Sequence, residues 1–303
     1  MARSFSLRPA RDANMTAQSS RAERSWLGHL WRILARNRLT FLGLIVLLII
    51  ATASALAPVV APYSFEQMSL QERLAPPGAQ HLFGTDNFGR DIFSRVLYGG
   101  QSSLLVSLAA VSGALTVGTF LGGIAAYYGG WLDETIMRLM DIILAFPYIV
   151  LAITLVVVLS PGLATVVIVI VVIQLPAFTR VTRGSVLVIM NQEFILAARA
   201  TGQRDIWILL RHVLPNAITP LVVMASLSLG TAITAEAALS FLGLGVQPPM
   251  SSWGTMIYEG TRALTTAPWT TAFPGLALSL TILGVNLVGD GMRDALDPRL
   301  RRI

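Results

Sequence analysis

The chain contains no cysteine, which excludes disulfides, thiolate metal sites and cysteine nucleophiles. Lysine is missing too, so all 22 basic residues are arginine. A phosphate-binding P-loop needs its lysine, and ATP hydrolysis by that route is therefore excluded. Schiff-base chemistry and serine–lysine dyads go with it. Charge is scarce, at 13% of 303 residues, against about 25% in soluble domains. The histidines His29, His81 and His212 stand in separate segments, none in a His-Glu-x-x-His arrangement. No Gly-x-Ser-x-Gly elbow occurs, so an intramembrane hydrolase has no nucleophile–base pair to work with. Neither a catalytic residue nor a metal ligand set is expected.

What the chain has in excess is apolar length. Hydrophobic residues make up 54% and the mean hydropathy is +0.67. Runs of about 20 apolar residues read as membrane-spanning helices. Six are expected, at 41–61, 102–127, 137–159, 163–179, 217–243 and 272–290. Only Arg73, Arg90, Arg95 and Arg262 fall in the loops of one side, and all other arginines fall on the opposite side. Arginine excess marks the cytoplasmic face, so both termini are expected inside. That asymmetry accounts for a pI near 10.4 without nucleic acid.

Residues 1–21 read as a basic disordered tail. From Ala22 to Arg38 a basic amphipathic segment carries Trp26, Leu27, Leu30, Trp31 and Leu34 on one face. It suits an anionic membrane surface, or serves as a lead-in to the first span. Ala53-Ser54-Ala55 resembles a signal-peptidase site, but the preceding basic region is too long for a signal peptide and further spans follow. The outer loop at 62–101 contains Asp86 and Asn87, candidate caps for a short helix bearing Ile92, Phe93, Val96 and Leu97. A second outer loop, 244–271, holds Trp253, Tyr258 and Trp269, residue types of the membrane–water interface.

One inner connection stands apart, EFILAARATGQRDIWILLRHVLPN from Glu193 to Asn216. Asn191 can cap a first short helix, and Gly202 suits the left-handed position that ends it. Asp205 would sit in the first turn of a second helix, near its positive dipole end. Pro215-Asn216 is expected to break that helix before span five. Ala197 and Ala198 are small enough for a partner's backbone to approach. Arg199, Gln203 and Arg204 remain available to a partner's carboxylates. An ordinary connector lying in the interface has the same pattern.

Within the spans, Glu236 is the costliest residue, since an acid there is expensive and a functional candidate. It reads as a substrate contact or a structural hydrogen-bonding group, with the outer end of span five as its expected place. Gln174, Thr234 and Asn286 line a path or bond neighbouring helices. Asp141 is expected to pair with Arg138.

The Glu193–Asn216 stretch resembles the EAA loop of binding-protein-dependent ABC importer permeases. Ala197, Ala198, Gly202, Leu214 and Pro215 match that pattern. Its acidic first position is not matched: Leu196 stands there, with Glu193 three residues earlier. GTDNFGRDIFSRVLYGG (Gly84–Gly100), AALSFLGLGVQPPMSSWG (Ala237–Gly254) and NLVGDGMRDALDPRL (Asn286–Leu300) narrow the resemblance. They are similar to the C-type permeases of dipeptide, oligopeptide and nickel importers.

The resemblance implies an all-α polytopic inner-membrane protein with the type I importer permease fold. Its parts would be a 1–21 tail, a 22–100 segment with the first span, a 101–292 permease core with coupling loop 191–216, and a 293–303 tail. Glu193, Ala197, Ala198, Arg199, Gly202, Arg204, Asp205 and Pro215 would couple to the ATPase. Gln174, Thr234, Glu236 and Asn286 would belong to the translocation path. The implied partners are a second permease, two cytoplasmic ATP-binding subunits or domains that hold ATP and magnesium, and an external solute-binding protein. This chain itself would bind no cofactor. Peptide is the substrate class the resemblance favours. The competing reading is an ion- or proton-coupled secondary transporter that uses Glu236.

Overall fold

The computed structural model describes residues 37–296. The expected N-terminal tail, the amphipathic segment up to Arg36 and the last arginines lie outside these residues. Among the described residues five helices are long and apolar enough to cross a membrane, or six if a bent pair counts as one. Helix α1 is Arg38–Ala55, and a single turn α2, Ala57–Val60, follows. Helix α3 is Ile92–Tyr128, α4 is Gly130–Ala145, α5 is Tyr148–Leu159 and α6 is Leu163–Met190. After two short helices, α7 (Glu193–Ala200) and α8 (Asp205–Ile208), come α9 (Leu214–Phe241), α10 (Trp253–Thr261) and α11 (Trp269–Leu296).

Several boundaries differ from the sequence expectation, each for a local reason. Asp91, not Asp86 or Asn87, caps α3, its Oδ2 accepting from the Ser94 N–H at 2.7 Å. The helix then runs for 37 residues, about 55 Å, so the expected short outer helix and span two are one rod. The expected span 137–159 is a pair, α4 and α5, bent by 97°. Pro147 sits at the bend, and the residue before a proline is pushed out of helical geometry. Phe146 accordingly lies at φ −90, ψ 138. Pro215 does not break the helix, which runs on from Asp205 to Phe241; the turn just before the proline, Leu209–Val213, is π-helical.

Lipid is as apolar as leucine, so helix association depends on close packing. The buried centre combines Val106, Ala110 and Ala114 of α3 with Val166, Val169, Ile170 and Phe178 of α6 and Leu221 of α9. Small residues let α3 and α6 approach: a β-carbon at Gly118 would lie 2.6 Å from Phe178 Cβ.

The end at which α10 meets the start of α3 is tied together by polar groups. Asp86 accepts from Arg90 Nε at 2.7 Å and from Arg95. Glu259 of α10 accepts from the same two arginines at 2.8 and 2.9 Å. Trp253 is 1% exposed and donates Nε1–H to the Val96 carbonyl at 2.9 Å. It is a core residue packed with Ile92, Val96 and Met256 rather than an interfacial anchor.

Candidate coupling element and translocation groove

At the end opposite that polar cluster, α7 stops in a full Schellman motif. The Gly202 N–H donates to Arg199 O at 3.0 Å and the Gln203 N–H to Ala198 O at 3.4 Å. This needs a left-handed residue, and Gly202 has φ +73. A β-carbon there would meet nothing within 4 Å of this chain. Asn191 does not cap α7; its Nδ2 donates back to Leu187 O at 2.9 Å, and Gln192 takes the N-cap place.

The element is seated by one face and bare on the other. Ile195, Ala198, Ile208, Leu209 and Val213 pack on Ala126, Tyr127 and Val186. Phe194, Leu196, Ile206, Trp207 and Leu210 are exposed, between 45% and 57%. Tyr127 Oη donates to Asp205 Oδ1 at 2.6 Å, and the Arg199 guanidinium lies 5.5 Å from the Tyr127 ring centre. These contacts join the element to the end of α3. Gln203, Arg204, Trp207, Arg211 and His212 line a depression of about 440 Å³ beside it. Glu193, Ala197 and Pro215 are exposed.

A π-helical turn, Leu209–Val213, joins α8 to α9. Asp205–Phe241 is thus one 37-residue helix, with the coupling element at its start and groove-lining residues farther along. No sequence signal marked the π-turn, because Leu-Leu-Arg-His-Val has no breaker.

The groove lies between α6, α9 and α11. It contains a cavity of about 390 Å³ bordered by Gln174, Thr231, Thr234 and Asn286, with Ile170, Ile173 and Ile282 among its apolar walls. Three of the four path candidates therefore meet in one place. Gln174 Nε2 donates to Ser228 O at 3.2 Å, while its buried Oε1 has no hydrogen-bond partner.

Glu236 is not with them. It is 0% exposed, and its Oε1 accepts from Ser240 Oγ at 2.7 Å. Ser103 of α3 and Ser252 at the α10 cap face it. Its place is the junction of three helices, away from both water and the cavity, because the helix turns it to the side opposite Thr234. Asp141 also departs from expectation: it pairs with Arg180 at 2.6 Å, whereas Arg138 lies 4.0 Å from Glu134. Sequence reasoning missed the Asp86–Arg90–Arg95–Glu259 cluster, in which Glu259 lies more than 160 residues from either arginine.

Comparison with known proteins gives one consistent result. Residues 118–302 match the family model "Binding-protein-dependent transport system inner membrane component". Residues 25–77 match the "N-terminal TM domain of oligopeptide transport permease C". The dipeptide transport system permease protein of Alkalihalophilus pseudofirmus is 46% identical over 268 residues, covering 88% of each chain. The glutathione transport system permease protein of Escherichia coli O157:H7 is 44% identical over 272 residues, covering 89% of this chain and 90% of that one. Among solved structures, an inward-facing conformation of the MetNI methionine ABC transporter has a TM-score of 0.55 at 19% identity. It covers 68% of this chain and 98% of that chain.

Proposed function

Because the chain belongs to the binding-protein-dependent transport system inner membrane component family, we propose that it imports peptide-class solutes as one permease half of an ABC complex. Dipeptide and glutathione permeases are its relatives, and both solutes are short amides with free carboxylates. The observation that carries the reading is the single helix Asp205–Phe241. It joins a partly bare amphipathic element to the wall of a polar-lined groove, so a push at one end reaches the other.

In this reading residues 193–215 seat on a cytoplasmic ATPase subunit. Phe194, Leu196 and Trp207 supply apolar contact, Ala197 and Gly202 allow close approach, and Arg199 and Arg204 meet carboxylates. ATP and magnesium stay on two such subunits or domains. A second permease closes the groove, and an external solute-binding protein docks over the end that carries the polar cluster. Both termini are cytoplasmic, following the arginine excess. Closure of the ATPases displaces the element and alternates access to the groove. The place of Glu236, off the cavity, removes the residue a self-contained proton-coupled carrier would use.

Purification from native membranes in mild detergent tests this. A second permease and a protein with a phosphate-binding loop are expected to copurify with ATPase activity. A chain that purifies alone and without ATPase activity, even after gentle crosslinking, contradicts the reading.

A further inference from the structure

The groove continues past the cavity toward the coupling-element end. A second hollow of about 330 Å³ adjoins it, sharing Thr231 and bordered by Ser228, Leu227 and Arg293. The three helices run the right way for one continuous passage. Going inward, α6 passes from Gln174 to Val181, α9 from Thr234 to Pro220, and α11 from Asn286 to Arg293.

Its charge is one-sided. No carboxylate, arginine or histidine borders the upper cavity. Arg293 is the sole ionised side chain of the lower hollow, and it makes no ion pair among the described residues. Two neighbouring arginines of α6 are paired, Arg180 with Asp141 and Arg183 with Asp133, each at 2.6 Å, while Arg204 and Arg211 border a separate depression. Asp290 and Asp294 are exposed on α11 but border neither hollow. Higher up, Gln174, Thr234 and Asn286 border the cavity with uncharged polar side chains.

Resting on the importer reading, we propose that this groove is a charge-selective passage. Arg293 draws a free carboxylate toward the inner mouth. Its fitting solute is neutral or anionic, and net cations pass poorly. A guanidinium in a partly solvated groove is attracted to carboxylates without being neutralised by a fixed partner.

The absence of native cysteine allows a test independent of the true substrate. In the purified complex, Thr231→Cys is treated with two methanethiosulfonates of matched size, one bearing a sulfonate and one a trimethylammonium group. The thiolate attacks the reagent sulfur, forms a mixed disulfide and expels methanesulfinate. Mass spectrometry of this chain gives each rate, normalised to a free thiol. The anionic reagent is expected to react about threefold faster at low salt, as a partly screened charge pair allows. Arg293→Gln should abolish the preference and Arg293→Lys keep it. Equal rates with Arg293 present, a preference unmoved by Arg293→Gln, or no modification by either reagent each overturns the proposal. The importer reading fails separately, through loss of ATPase copurification.

Discussion

Gly202→Leu is expected to lower coupled uptake by at least about tenfold, while the chain stays inserted at its usual level. Two effects act together. A β-carbon in the left-handed region costs about 1–2 kcal/mol, which strains the Schellman turn that ends α7. The side chain also enters a space that is empty in this chain alone, since nothing lies within 4 Å of the built β-carbon. A partner seated there would meet it. Asparagine tolerates the left-handed region, so Gly202→Asn should relieve the strain and recover part of the uptake. ATP-driven uptake of a labelled dipeptide, set against the amount of intact complex, is the measurement. Wild-type uptake by the leucine variant with the complex intact removes Gly202 from the coupling surface.

The second large effect is expected at Arg95. This residue is 3% exposed and serves Asp86 and Glu259 together. Arg95→Gln leaves two carboxylates, one of them buried, facing Arg90 alone. Breaking a buried ion network by removing one partner costs about 3–5 kcal/mol. The apparent unfolding midpoint in detergent should fall by about 10 °C, and the outer loop should become sensitive to protease. Arg95 serves both acids through the one nitrogen Nη1, and a lysine ammonium also carries three donors on one nitrogen, so Arg95→Lys should recover part of the loss. Adding Glu259→Gln to Arg95→Gln should recover part of the loss, because it leaves Asp86 and Arg90 as a one-to-one pair. A midpoint within 1 °C of wild type for Arg95→Gln would mean the network contributes nothing net.

The legible parts of this protein were those written in local pattern. Apolar runs located the spans, and the Thr201-Gly202 pair located the end of α7. Gln174, Thr234 and Asn286, polar residues with no local reason to be in a span, meet at one cavity. Less legible was anything settled by long-range geometry. Glu236 reads the same in sequence whether it faces a path or a three-helix junction, and only helix rotation decides. Asp141 had a plausible partner one turn away, yet Arg180 on α6 reaches it across a helix gap. The outer ion cluster was invisible because Asp86 and Glu259 come together only when α10 folds over α3. The 97° bend at Pro147 was readable from proline chemistry but was hidden by the apolar run on both sides.

The central claim is that residues 193–215 face a cytoplasmic ATPase, and its most direct test is site-specific crosslinking in native membranes. The chain has no other cysteine, so Arg204→Cys carries a single reactive thiol on the coupling element. Arg262→Cys places one on the opposite, outer side. Membranes bearing each variant are treated with a thiol-reactive bifunctional reagent, and adducts are isolated under denaturing conditions and identified by mass spectrometry. The account predicts that Arg204→Cys yields an adduct with a protein carrying a phosphate-binding loop and that Arg262→Cys does not. Such an adduct from Arg262→Cys, or from neither position, would contradict it.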